Sequence, residues 1–314
     1  MGKWIKNFLG LAIFVFLLWY VAENWENLRV LLKLGPKQLV IIYFLCFLLT
    51  IVTAHVAQVL IEALKIRTCF WDMVRLHNAA VLLNYVPMKF GTVFRANYLK
   101  RHYGLAYAHF ATFFVFITFL MSATAATIGL PVLLAVFGIK GYENKILAIS
   151  YAIIIMASLL FLFTPLPMPK GQGRLSTILR DFLSSRSQIS KERKTVFTAS
   201  ALLSVNFLLM ATRLCIIYHS MDKDIHIGGY VILGTLGFVV LFVALTPGSL
   251  GIRELVLSFG AVVVGAPLEV GILAAMVDRA VAVSYAFIVG GACAGWLWHK
   301  YPADFKERQK NSLL

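Results

Sequence analysis

Long apolar runs separated by short polar segments dominate the chain. A helix that crosses a bilayer needs about 20 apolar residues, because each residue adds about 1.5 Å. The runs that meet this length predict six full spanning helices: Ile5–Ala22, Leu39–Leu64, Tyr107–Leu130, Ile146–Leu166, Val196–His219 and Val270–Trp298. The first run resembles a signal peptide, but the segment Glu23–Glu26 after it has no small-residue cleavage site. We therefore expect it to be retained as a span.

Two further apolar regions are interrupted near their middle by proline and glycine, which break helices. Met73–Arg101 is broken at Asn84–Gly91, and Gly228–Ala266 is broken at Leu245–Gly251. Each half is long enough for only part of a bilayer, so we predict two re-entrant helical hairpins, hairpin one and hairpin two. Both breaks carry a Pro-x-x-x-Gly pattern followed by arginine. This suggests an inverted repeat, which transporters often build around a midplane site.

Composition restricts the class of protein. Of the 314 residues, 60% are hydrophobic and 14% are charged, whereas soluble domains have about a quarter charged residues. We predict an all-α polytopic membrane protein, with residues 1–314 forming a single membrane domain. The four cysteines have neither disulfide-framework nor zinc-site spacing. The net charge of +15 is explained by basic cytoplasmic loops and anionic lipid headgroups rather than by nucleic acid.

The distribution of lysine and arginine predicts the topology. With cytoplasmic termini, twenty basic residues lie on the cytoplasmic side and six lie outside, as the positive-inside rule requires. Hairpin one then enters from the cytoplasm and hairpin two from outside. Counting each hairpin as two full crossings gives the same termini, so that alternative stays open. We expect a bacterial-type inner (plasma) membrane protein.

Two segments are expected in the cytoplasm. Residues 165–194 form a basic loop, and residues 299–314 form a tail. Within the loop, helical spacing places several apolar residues on one face with basic residues beside them, as in a helix that lies on a membrane surface. The residues of this face are Leu175, Ile178, Leu179, Phe182 and Leu183.

The two breaks also carry a family resemblance. The segment Asn84–Leu99 has an asparagine, then proline and glycine, then an arginine and Tyr-Leu, and Thr246–Glu254 is a Pro-Gly turn that closes on Gly-x-Arg-Glu. Both resemble motifs of the flippase-like membrane domain of lysylphosphatidylglycerol synthetases and its stand-alone relatives. The resemblance implies a lipid translocase with two hairpins around a central cavity. Fused members carry a soluble aminoacyl-transferase domain that this sequence lacks, so lysyl-lipid synthesis is not implied.

Ionisable residues inside apolar segments are costly and normally face a cavity or a partner. Arginine at a broken-helix tip, beside free backbone N–H groups, is suited to a phosphate, and acidic neighbours could pair with it. Arg213 lies near the end of its run, where snorkelling to the interface is at least as consistent with its position as ligand binding, and both alternatives stay open. The predicted substrate-binding residues are Asn84, Pro87, Gly91, Arg95, Tyr98, Pro247, Gly248, Gly251, Arg253, Glu254, Asp278 and Arg279.

These observations predict a translocase that moves an anionic phospholipid or polyprenyl-phosphate-linked lipid between leaflets. The expected partners are membrane lipids with anionic headgroups and envelope-synthesis enzymes, with no cofactor, metal or nucleic acid. The sequence has no nucleophile elbow, Walker loop or metal motif, so we do not expect an enzyme. Two alternatives remain open: an intramembrane lipid-modifying transferase that uses Glu254 or Asp278 as a base, and a non-transporting member of an envelope-lipid assembly complex.

Overall fold

The computed structural model describes residues 34–85, 90–139, 141–165, 167, 169, 173–243 and 252–300. These residues form helices and no strand, which confirms the predicted all-α class. In chain order the helices are α1 (Pro36–Glu62), α2 (Phe70–Leu83), α3 (Phe90–Tyr103), α4 (Tyr107–Phe137), α5 (Tyr142–Phe163), α6 (Arg174–Lys191), α7 (Arg193–His219), α8 (Ile227–Val243), α9 (Ile252–Val263) and α10 (Leu268–Lys300).

Within the described part of the chain, five helices are long and apolar enough to cross a membrane: α1, α4, α5, α7 and α10. They coincide with five of the six predicted spans, and the remaining one, Ile5–Ala22, lies outside the described residues. Two of the long helices contain a π turn, at Leu133–Phe137 in α4 and at Ala286–Gly290 in α10. The protein is therefore a polytopic helical membrane protein.

Hairpin one consists of α2 and α3, and its break lies where the sequence predicts it. Each helix has 14 residues and is about 20 Å long, shorter than a hydrocarbon core of about 30 Å. The outer ends of the two helices meet, because the hydroxyl of Tyr103 donates to Asp72 at 3.0 Å. Near the break, a Cβ on Gly91 would overlap the carbonyl oxygen of Ala80. Only glycine allows the two helices to approach so closely here.

Hairpin two consists of α8 and α9, which have 17 and 12 residues. Their outer ends also meet, because a Cβ on Gly229 near the start of α8 would lie 3.1 Å from Cβ of Val264 just after α9. We call the place where the outer ends of a hairpin meet its base. The base of hairpin two adjoins the end of α7 and the start of α10. The base of hairpin one instead adjoins the end of α10, where Lys300 Nζ lies 3.9 Å from Asp72 Oδ1. The two hairpins thus start from opposite ends of the bundle.

Among the described residues, most lysine and arginine side chains lie at the end that holds the base of hairpin one, which we call the basic end. It includes the C-terminus of α1, because Gln188 donates to the carbonyl oxygen of Ala63 at 2.9 Å. The opposite end has few. The basic side chains at the basic end are Lys65, Arg67, Arg75, Lys100, Arg101, Arg180, Arg186, Lys191, Arg193, Lys194 and Lys300, against Lys37, Lys145 and Lys223 opposite. The predicted charge asymmetry therefore appears in three dimensions.

Helix α6 lies across the basic end and packs mainly against α4. One face of its C-terminal half is buried, and the Arg186 guanidinium donates to the carbonyl oxygen of Thr164 at 2.6 Å. This contact satisfies a carbonyl left free beyond the end of α5. In the N-terminal half, Ile178 and Leu179 are about half exposed. The apolar face predicted for this helix is thus divided: Leu183 packs into the protein, and Ile178 and Leu179 face outwards.

Candidate functional site

A fully buried carboxylate, Asp278, joins two arginines from other helices. Its Oδ1 lies 2.5 Å from Nη2 of Arg213 on α7, and its Oδ2 accepts a hydrogen bond from Nη2 of Arg253 on α9 at 2.7 Å. The Arg213 side chain is only 6% exposed, whereas that of Arg253 is 26% exposed. Asp278 therefore holds one arginine in the interior and one at an accessible edge.

A second ion pair lies beside the first. Glu254, next to Arg253, pairs with the guanidinium of Arg279, next to Asp278. Neighbouring residues at the start of α9 are thus matched to neighbouring residues on α10. We call these five residues, Arg213, Arg253, Glu254, Asp278 and Arg279, the arginine cluster.

The position of the cluster at a helix start has electrostatic consequences. Arg253 and Glu254 lie in the first turn of α9, where the helix dipole favours an anion and disfavours a cation. Glu254 fits this position, but Arg253 needs Asp278 to compensate it. The turn that precedes them, with the predicted residues Pro247, Gly248 and Gly251, lies outside the described residues.

The cluster has more positive than negative charge. Its three guanidinium groups and two carboxylates leave a formal charge of +1. The buried Nε atoms of Arg213 and Arg253 and the buried Oε2 of Glu254 have no hydrogen-bond partner. Buried polar groups normally find one, especially where lipid replaces water outside. The formal charge of +1 and the two unpartnered Nε–H donors are suited to an additional anion that has hydrogen-bonding oxygens, whereas the carboxylate oxygen of Glu254 is an acceptor that such an anion would not satisfy.

Hairpin one carries a separate basic residue. Arg95 on α3 has its Nη2 3.1 Å from Nδ1 of His77 on α2. Asn84 caps the end of α2, and its buried Oδ1 has no hydrogen-bond partner. Tyr98 is buried among apolar side chains, with its ring centroid 4.4 Å from that of His102. Pro87 lies outside the described residues.

Hairpin one and the start of α9, which carry the two halves of the predicted site, contact α10 at different positions along its length. Hairpin one packs its inner end on α10, where Leu82 and Tyr85 form a buried group with Val283 and Ala286. These contacts lie one to two turns beyond Asp278 along α10. The predicted site residues on α9 and α10 are thus brought into contact with one another, whereas Arg95 pairs within its own hairpin.

Among the residues that the structure describes, no group of three or more histidine, cysteine, aspartate or glutamate side chains could hold a metal ion. Comparison with known families gives a match over most of the chain: residues 7–290 fit the model of the lysylphosphatidylglycerol synthase TM region. The chain belongs to this family. Neither the curated proteins nor the solved structures searched gave a match.

The region shared with the lysylphosphatidylglycerol synthase TM family contains every member of the arginine cluster and both hairpins. It ends at the π turn of α10, so the last turns of α10 at the basic end lie beyond it. The family match thus confirms the resemblance that the two break motifs suggested.

One member of the cluster was not foreseen. Of the two alternatives left open for Arg213, snorkelling to the interface is excluded, because its side chain is buried and paired with Asp278. It also donates to Cys46 Sγ at 3.1 Å and to Met210 Sδ at 3.0 Å. The snorkelling alternative rested only on the distance of Arg213 from the end of α7. An acidic residue inside another apolar segment was the signal that could have suggested a partner.

Proposed function

We propose that this protein is a lipid translocase that moves an anionic amphiphile between the leaflets of a membrane. The observation that carries the proposal is Arg253, which is held by a buried carboxylate at the start of a short helix and is still 26% exposed. An arginine fork matches the oxygens of a phosphate and can bind two of them at once. Family membership supports a role in membrane lipid chemistry.

The ion pairs suggest how the site stays stable when no lipid is bound. Asp278 compensates Arg213 and Arg253, and Glu254 compensates Arg279. A phosphate that reaches Arg253 would meet a cluster of formal charge +1 and would make it nearly neutral. Transport requires that a bound phosphate can also leave the site. The two carboxylates make this possible, because they lower the positive charge of the site.

We further propose that the basic end faces the cytoplasm of a bacterial-type inner membrane and that both hairpins are re-entrant. The charge asymmetry between the two ends of the bundle supports this orientation. The short helices on each side of the breaks support the hairpins, since irregular backbone at membrane depth is tolerated only where it lines protein or water.

The geometry gives less support to a transferase. A general base must be free to accept a proton from its substrate, but both oxygens of Asp278 face arginines, and Glu254 is paired with Arg279. No contact in the described part of the chain specifically favours a role in an assembly complex. The translocase is therefore the function that the arrangement supports best.

The test is leaflet exchange in proteoliposomes with fluorescent anionic phospholipids and polyprenyl-phosphate lipids. Arg253→Ala should lower the exchange rate by about 10- to 100-fold, the loss expected when a charged hydrogen bond is removed. Arg253→Lys keeps the charge without the fork and should give an intermediate rate. Arg193→Ala, which changes an exposed arginine at the basic end, is the control and should behave like the wild type.

Two results would contradict the proposal. If the wild type exchanges every lipid at the rate of protein-free vesicles while a covalently modified lipid appears, the transferase replaces the translocase. If Arg253→Ala purifies as a folded, monodisperse protein and exchanges lipid normally, Arg253 is not the phosphate site.

A further inference from the structure

Uncharged polar side chains continue from the arginine cluster along the contact between α1, α7 and α10. Three cross-helix pairs form this polar seam. Tyr43 and Ser284 are joined at 2.6 Å, Thr50 and Tyr285 at 3.1 Å, and Asn206 donates to Thr53 at 3.0 Å. In a membrane protein, such hydrogen bonds between helices can simply hold the bundle together. The question is whether any polar atom of the seam is left for a ligand.

The hydroxyl groups of the seam are all used within the protein. Thr50 donates to the carbonyl oxygen of Phe47, and Ser284 donates to that of Ala280. Each can therefore accept from its tyrosine, Thr50 from Tyr285 and Ser284 from Tyr43, because a hydroxyl has one proton to donate. These two pairs need no ligand.

Asn206 is different. Thr53 donates its hydroxyl proton to the carbonyl oxygen of Leu49 at 2.8 Å, so it must accept from the amide nitrogen of Asn206. This fixes the orientation of the amide and leaves the carbonyl oxygen of Asn206 buried without a hydrogen-bond partner. The whole residue is only 2% exposed. Among the six side chains of these pairs, the carbonyl oxygen of Asn206 is thus the one buried polar atom without a hydrogen-bond partner, and it can accept from a group with a proton to donate.

The position of Asn206 relates it to the arginine cluster. Asn206 and Arg213 are seven residues apart on α7, so they lie on the same helix face with about 10 Å between them. On the antiparallel α1, their partners Thr53 and Cys46 are also seven residues apart. Of these two residues on α7, Asn206 lies farther from the base of hairpin two and closer to the basic end.

We propose that Asn206 is a second headgroup-binding residue, whose carbonyl oxygen accepts a hydrogen bond from a hydroxyl group that the lipid carries beyond its phosphate. The inference rests on the proposed function and adds a substrate class to it. A headgroup that moves between the leaflets meets Arg253 and Asn206 in succession. A lipid with a hydroxylated headgroup uses both residues, whereas a lipid that ends in a bare phosphate uses only the first.

The experiment compares phosphatidylglycerol with phosphatidic acid, both with the same acyl-chain fluorophore, in proteoliposomes. The wild type should exchange phosphatidylglycerol faster. Asn206→Leu, which keeps the approximate volume but removes the amide, should lower this rate by about two- to tenfold, the loss of one hydrogen bond, and leave phosphatidic acid unchanged. Ser158→Ala is the matched control, because it removes another buried, unpartnered oxygen, on α5. It should alter neither rate. Asn206→Ala serves as a second variant if Asn206→Leu does not purify as a folded protein.

The outcomes separate this inference from the translocase itself. If the rates of both lipids fall equally, or neither falls, Asn206 serves only in packing or holds a water molecule, and the inference is wrong. If the wild type exchanges neither lipid, the translocase proposal fails. The headgroup site at Asn206 is then tested by measuring how much of each lipid the purified protein retains. Preferential retention of phosphatidylglycerol that Asn206→Leu abolishes supports the site, and equal retention of both lipids overturns it.

Discussion

The fully buried carboxylate of Asp278 should be one of the most sensitive positions for stability. Asp278→Asn keeps the shape of the side chain but removes the negative charge that faces Arg213 and Arg253 at 2.5 and 2.7 Å. Two guanidinium groups then remain close together without a counter-ion. Breaking a buried ion pair by removing one partner costs about 3–5 kcal/mol, a large part of the roughly 5–15 kcal/mol by which proteins are stable.

Thermal unfolding of the purified protein in nanodiscs measures this loss. For proteins of a few hundred residues, 1 kcal/mol lowers the Tm by about 2–4 °C, so Asp278→Asn should lower it by roughly 6–20 °C. The control is Glu269→Gln, the same change at an exposed position in the first turn of the same helix. It should lower the Tm by no more than about 4 °C, because the loss of an exposed charge near a helix N-terminus costs at most about 1 kcal/mol.

The reasoning also predicts a rescue. In the Asp278→Asn background, Arg213→Met removes the more deeply buried of the two uncompensated charges and should restore part of the lost Tm. Replacement of buried charges by apolar residues of similar volume is often neutral or stabilising. If Asp278→Asn unfolds within about 2 °C of the wild type, the two arginines do not depend on this carboxylate. The compensation described for the cluster would then be incorrect.

Two further predictions concern packing and topology. Gly91→Ala places a methyl group on the carbonyl oxygen of Ala80 and should reduce the yield of folded protein, whereas Gly291→Ala, where nothing lies within 4 Å, should leave it unchanged; size-exclusion chromatography measures both. In a variant without native cysteines, Cys at position 191 should react with an impermeant thiol reagent only after the membrane is opened. Cys at position 222, at the opposite end, should react in intact cells, and the reverse pattern would invert the proposed orientation.

The sequence predicted well whatever depends on local pattern. Run length located α1, α5, α7 and α10 to within four residues at each end, because a helix in lipid must satisfy all of its backbone hydrogen bonds internally. It located the start of α4, which continues seven residues beyond the predicted end at Leu130. Glycine and proline located the break between α2 and α3 for the same reason, whereas the predicted break at Leu245–Gly251 lies outside the described residues. Gly91 was singled out from its motif, and the structure supplies the cause, the close approach of α3 to the backbone of α2 at Ala80.

The sequence did not predict which polar residues face each other. Arg213 and Asp278 are 65 positions apart, and their contact depends on how α7 and α10 are rotated about their axes. This rotation is set by the packing of the whole bundle. It cannot be read from the sequence, because α7 and α10 have apolar residues on every face and so have little amphipathic character. The unused carbonyl oxygen of Asn206 is a further step away, since it can be recognised only after all the neighbouring hydrogen bonds are assigned.

Helix α10 links the two hairpins mechanically. Near its start it holds the beginning of α9 through Asp278 and Arg279, and at its π turn it carries the inner end of α2 through Val283 and Ala286. Both hairpins therefore rest on the same helix, and a displacement of α10 as a rigid body would change the contacts of both. The π turn lies at the contact with α2, with Gly290 tight against Asn78. A shift of this turn by one hydrogen-bond register is the local change that would uncouple them.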